Sequence, residues 1–120
     1  MAIDFSLTPE LEAIRARVRT FVNDVIRPGG EIIDGKGDNE ALTGEDRLKA
    51  LIGMRKQARA EGLWLPHMPE EWGGMGLGHV ELAMVQAEAA RSYYGPWVLN
   101  CQAPDEGNMH TLLQIGRAHV

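Results

Sequence analysis

Apolar residues return at three- and four-residue steps along much of this chain, and the places where that rhythm stops divide it into elements. Leu11, Ile14, Val18, Phe21, Val22 and Val25 form one such stripe, the pattern of an amphipathic helix. Thr8 and Pro9 stand at its start. A threonine hydroxyl there accepts a hydrogen bond from an unpaired N–H of the first turn, and proline gives up an N–H that had no partner. Arg15, Arg17 and Arg19 fall on the predicted polar side. The run Arg27-Pro28-Gly29-Gly30 predicts the end of this helix. Residues 31–42 are polar and carry Gly35 and Gly37, which predicts a surface loop.

A second helix is predicted from Thr43-Gly44-Glu45-Asp46, with Thr43 as its cap and Asp46 in the favourable first turn. Leu48, Leu51, Ile52, Met54 and Ala58 are its inward set, and Gly62 suits the left-handed residue that closes a helix. Leu63 to Gly78 holds two prolines and four glycines, which forbid a regular helix. It is also rich in Trp, Leu and Met, so a loop packed onto the domain is expected. A third helix is predicted from about His79 to Ser92, with Val80, Ala83, Met84, Ala87 and Ala90 inward. Leu82, Val85 and Ala89 make much of the rest apolar, which predicts burial on most sides. Tyr93-Tyr94-Gly95-Pro96 breaks it. A last helix starts near Pro104-Asp105-Glu106 and runs through Met109, Leu112 and Leu113, its acids at the positive end of the dipole. No strand alternation is convincing. The expected fold is all-α, about four helices and a packed Gly/Trp loop.

Composition narrows the function classes. At 120 residues the chain fits one domain with a real core. The net charge of −5 offers no basic stripe for phosphates, so nucleic-acid binding is unsupported. Cys101 is the only cysteine, so no internal disulfide forms. The start Met1-Ala2-Ile3-Asp4-Phe5 lacks the features of a secretory signal or a transit peptide. No apolar run reaches the roughly 20 residues of a membrane span. Cytoplasm is the expected location.

The candidate chemistries mostly reduce to structure. Gly73, Gly74, Gly76 and Gly78 lack the G-x-G-x-x-G spacing, a preceding strand and a Gly-Lys-Ser/Thr run, so turn geometry is expected rather than nucleotide binding. His67, His79, His110 and His119 show no ligand spacing with each other or with Cys101, and no metal site is expected. Cys101 reads as a small buried hydrophobe. Glu81 with Glu88, and Asp105 with Glu106, are acidic pairs on helices. Acid–base work would need them in a dry pocket with shifted pKa values.

Leu63-Trp64-Leu65-Pro66, continuing through Pro69-Glu70-Glu71-Trp72-Gly73-Gly74-Met75-Gly76-Leu77, resembles the hallmark loop of the acyl-CoA dehydrogenase N-terminal domain. There a G-L-x-x-P segment leads to P-x-x-(W/Y)-G-G-x-G. Phe5-Ser6-Leu7-Thr8-Pro9-Glu10 is similar to the family's first helix start, and the helix after the glycines is similar too. Asn100-Cys101-Gln102-Ala103-Pro104-Asp105-Glu106-Gly107-Asn108-Met109 resembles one branch, in which long and branched acyl-CoA substrates are typical and some members carry a kinase-like domain in front. With seven residues ahead of Thr8, no such domain is expected within this chain.

The resemblance implies a parent with this helical domain, a central β-barrel and a C-terminal helical bundle. It implies FAD as cofactor, an acyl-CoA substrate oxidised at Cα–Cβ, an electron-transfer flavoprotein as partner and a homo-oligomer. It implies that Ala103, Glu106 and Gly107 line the acyl-chain pocket. No residue of the chain matches a catalytic or flavin-binding position, so the piece alone is expected to be inactive. Acyl-CoA oxidases and nitroalkane-oxidising relatives share this domain, and a stand-alone helical module binding an acyl chain or a protein is the alternative. The family domain is expected over residues 1–114. The ending Ile115-Gly116-Arg117-Ala118-His119-Val120 can be encoded by a common sequencing-adapter read in frame, so residues 115–120 are expected to be a frayed, non-native tail.

Overall fold

The structure is a computed structural model that describes residues 6–102 and 105–118. Among the described residues it is all-α, as expected, with six helices rather than about four. Helix α1 (Pro9–Phe21) starts as the sequence implies, with the Thr8 hydroxyl accepting from the Leu11 N–H at 3.3 Å. Val18, Phe21 and Val22 are buried, and Ile14 and Val25 pack beside them.

The predicted break at Arg27-Pro28-Gly29-Gly30 does not occur. One wide π turn (Val22–Ile26) follows α1, and α2 (Arg27–Asp34) continues from it. The Arg27 N–H bonds back to the Val22 carbonyl. Proline clashes with the carbonyl four residues earlier in a regular helix, and a wider turn shifts those carbonyls. The glycines serve close packing: a Cβ on Gly30 would stand 3.0 Å from the Tyr94 ring. Residues 31–34 are therefore helix rather than surface loop, and Ile33 is buried. Tyr94 reaches across to donate its hydroxyl to Asp34.

Helix α3 (Gly44–Ala60) starts after Thr43, whose side chain makes no capping bond. Leu51, Met54 and Ala58 are buried, but Leu48 and Ile52 are exposed, so the inward stripe is narrower than predicted. The helix closes as expected. Gly62 takes φ +74°, Leu63 N–H bonds to Ala58 O at 2.9 Å, and Gly62 N–H bonds to Arg59 O at 3.2 Å. This is a Schellman end, with the glycine in the conformation that side chains resist.

Helix α4 (His79–Ala89) turns the opposite face inward from the one predicted. Leu82, Val85, Glu88 and Ala89 are buried, whereas Val80 is 73% exposed and Ala83, Ala87 and Ala90 are exposed too. With apolar residues on most sides, the pattern could not choose a side. The larger Leu82 and Val85 go inward, and Glu88 on the same side is paired with Arg15 and Arg19 of α1. Helix α4 packs on α1, and the short α5 (Gly95–Val98) packs on α3 and α4. The core therefore lies between α1–α2 on one side and α3, α4 and α5 on the other. Helix α6 (Asp105–Ala118) runs through the start of the expected frayed tail.

Candidate functional site

The Gly/Trp loop is packed by its own backbone. Leu65 N–H bonds to Leu99 O at 3.0 Å, and Leu65 O accepts from Met68 N–H and Met75 N–H, each at 3.1 Å. Gly73 N–H goes to Glu70 O, Gly74 N–H to Pro69 O, Gly76 N–H to Met68 O and Leu77 N–H to Pro66 O. These donors are all turned inward. A diphosphate cradle needs such N–H groups free and convergent, so this loop does not fit the diphosphate of FAD. The glycines are turn residues, as expected, with Gly73 at φ +84° and Gly76 at φ +69°. Leu63, Pro66 and His67 are buried, while Trp72 is 63% exposed.

The loop and α6 meet over a cluster that sequence spacing did not reveal. His67 is buried, and its Nε2 lies 3.2 Å from Met109 Sδ. The His67 and His110 ring centroids are 5.3 Å apart, and those of His79 and His110 are 6.2 Å apart. A cleft of about 480 Å³ runs past His67, Pro69, Glu70, Gly76, His110 and Leu113. Three histidines scattered over the sequence thus gather in space. Even so, no three His, Cys, Asp or Glu groups among the described residues are arranged to hold a metal ion.

Of the three expected pocket residues, the structure places two. Glu106 and Gly107 stand in the first turn of α6, and Ala103 lies outside the described residues. Glu106 is half-buried; its Oε1 lies 3.2 Å from His110 Nε2, at ion-pair distance but without hydrogen-bond alignment. Gly107 is exposed, and a Cβ added there would meet nothing within 4 Å. The same turn approaches Arg55, whose guanidinium lies 3.4 Å from the Trp97 ring centroid and 5.3 Å from that of Trp64. Burial lowers the Arg55 pKa, and Asp105 opposes that.

Comparison with known proteins places this geometry. The family model described as acyl-CoA dehydrogenase, N-terminal domain, matches residues 8–119. The chain belongs to the acyl-CoA dehydrogenase family. It is 41% identical over 114 residues to human acyl-CoA dehydrogenase family member 11, covering 93% of this chain and 14% of that protein. The chicken family member 11 is 37% identical over 108 residues, covering 88% of this chain and 13% of the relative. Mouse family member 10 is 40% identical over 68 residues, covering 52% of this chain and 6% of the relative. The chain thus spans about a seventh of the length of human member 11. No solved structure matches it significantly.

In this acyl-CoA dehydrogenase N-terminal domain the other acidic candidate is structural. Glu88 is buried on α4 and accepts from Arg15 Nε at 3.0 Å and from Arg19 at 2.7 and 3.2 Å; Arg91 stands 3.6 Å away. Arg15 and Arg19 are therefore not a purely solvated face. The Arg19 hydrogen bond leads the causes that hold the Glu88 carboxyl down at about 2, against burial. A carboxylate so firmly ionised is neither a general acid nor an effective base near neutrality. Cys101 is buried as expected, and desolvation pushes its thiol up to about 12. It is no nucleophile in this setting. Among the described residues no helix is long and apolar enough to cross a membrane.

Proposed function

We propose that this chain is the helical N-terminal part of an FAD-dependent acyl-CoA dehydrogenase, and that its role there is to shape the acyl-chain pocket. The observation that carries this reading is the family match over residues 8–119. The all-α fold and the intact Gly/Trp loop agree with it. The parent would oxidise the Cα–Cβ bond of an acyl-CoA thioester, with FAD as oxidant, an electron-transfer flavoprotein as acceptor, a homo-oligomeric assembly and a cytoplasmic location. Glu106 and Gly107 are proposed to border the acyl chain, with Ala103 beside them. Glu106 and Gly107 share the first turn of α6.

No catalytic part falls to this chain, and its inward-turned loop N–H groups leave flavin binding to the rest of the parent. The family portion is proposed to end at Gln114, with residues 115–120 of adapter origin. The family match reaches residue 119 and the helix reaches Ala118, so this stretch is compatible with helix whatever its source.

The test is a pair of purifications. The 120-residue chain, refolded with excess FAD and desalted, is expected to show no flavin absorbance and no acyl-CoA-dependent dye reduction. The complete protein from the source organism is expected to be yellow and to bleach with an acyl-CoA. A colourless complete protein, or a short chain that keeps stoichiometric flavin, would overturn the proposal. The latter result would favour a self-sufficient module.

A further inference from the structure

The histidine cluster has no part in the reading above, yet it is what α6 brings to the loop. His67 is 5% exposed, and its Nδ1 is buried with no hydrogen-bond partner. Its Nε2 faces the Met109 sulfur, a weak acceptor, at 3.2 Å. The His110 ring stands 5.3 Å away, and the His79 ring from the start of α4 lies 6.2 Å beyond His110. We propose that His67 is the positioning residue that docks α6 on the Gly/Trp loop. Proton uptake by His67 releases the helix, so the placement of Glu106 and Gly107 depends on pH. The consequence for an acyl pocket rests on the function proposed above; the docking itself does not.

A neutral imidazole can sit against a thioether in an apolar setting. A buried cation there costs much more unless it is paired. Burial is the largest influence lowering the His67 pKa, His110 adds to it, and Glu106 opposes. The charged and titratable groups facing the pair are few. Glu106 comes from α6 itself, Glu70 and Glu71 line the cleft from the loop, and His79 comes from α4. Glu70 and Glu71 are exposed, so water and salt screen them. Of these carboxylates only Glu106 opposes the burial of a cation at His67, and it does so more weakly than burial acts. Asp105 acts on Arg55, and the Cys101 thiol stays neutral.

The direction follows from linkage. When α6 lifts away, His67 is solvated and regains the ordinary imidazole range, near 6.5. The released state then binds more protons than the docked one. Docking is therefore complete above about pH 6.5 and weakens as the pH falls below it.

Hydrogen exchange read by mass spectrometry on the 120-residue chain tests this. Peptides covering Asp105 to Ile115 are compared at about pH 7.5 and about pH 5.5, corrected for intrinsic exchange. Opening of α6 is expected to rise about tenfold at the lower pH, the equivalent of one pKa unit, while α1 stays unchanged. His67→Gln removes the titrating ring and is expected to flatten the response, and His79→Gln to leave it in place. Protection of α6 that does not change with pH, or a full response in His67→Gln, would overturn the proposal. Should His67→Gln lose the docked helix at both pH values, an NMR titration of His67 in the unsubstituted chain decides. A midpoint below 6.5 that moves α6 resonances supports docking, and one at or above 6.5 refutes it. No readout here uses flavin or acyl-CoA, so failure of this proposal and failure of the pocket reading are separable.

Discussion

Glu88 shows that a charged side chain can lie on the buried face of a helix when its neighbours neutralise it. Its carboxylate is buried against guanidinium groups from α1 and from Arg91, in the turn just past the end of its own helix. Removing one partner of such a pair leaves the other uncompensated, but Arg15 and Arg19 are partly exposed and recover water. Glu88→Gln is therefore expected to cost about 2 kcal/mol, read by urea unfolding at neutral pH. The pH dependence has a definite sign. The folded-state pKa is depressed from 4.5 to about 2, so the stabilisation is present above about pH 4.5 and is lost as the pH falls toward about 2. The substituted chain should lack that slope. A slope identical in both chains would show that Glu88 carries none of it. Sequence patterning could not foresee this. It places charge outward by default, so Arg15 and Arg19 read as a polar face and Glu88 as one more helix acid. The cap at Thr8 and the burial of Cys101 were legible, because each depends on one residue and its nearest neighbours.

At the scale of elements, ends set by one residue were legible, whereas ends and faces set by distant contacts were not. Gly62 was legible as a helix end because a left-handed residue is a local demand, and the Schellman bonds confirm it. Pro28 with two glycines reads locally as a break. The actual outcome, a wide turn followed by more helix, depends on Tyr94 packing against Gly30, 64 positions away in sequence. Likewise α4 is apolar on most sides, and its packing on α1 settles which side is buried. One glycine inside α3 and one just past its end give a matched test. Gly53 is helical with open space around it, so Gly53→Ala should stabilise the domain by about 0.5–1 kcal/mol. Gly62 has positive φ and no clash, so Gly62→Ala should destabilise it by about 1 kcal/mol through backbone strain alone. Thermal melts of the two variants should move in opposite directions. Movement in the same direction would mean the end of α3 is not built as described.

Across the whole molecule, the surface carries large apolar side chains on several elements. Val80 is 73% exposed, Leu112 67%, Ile32 65% and Trp72 63%. The apolar rim of α4, unburied within this chain, is what remains of the expected burial on most sides. Such surfaces mark contact sites when they are contiguous. The isolated chain is expected to bind a hydrophobic dye and to self-associate with rising concentration. A monomer that melts sharply and binds no dye would favour the self-sufficient module. The family and the all-α class were legible from the sequence because blocks such as Pro69 to Leu77 are local strings. Glu106 and Gly107 share a helix turn, and the cleft that His67 and His110 form is lined by other residues; that cleft was not legible, because its histidines are far apart in sequence.

The central claim is that this domain works as part of a longer flavin-dependent dehydrogenase. The most direct test is to sequence the source transcript through codon 114 and beyond. The expected result is a reading frame that continues into a β-rich domain and then a helical bundle carrying a glutamate at its pocket. A stop codon directly after codon 120 in the native transcript would contradict the claim, and the chain would then have to act on its own.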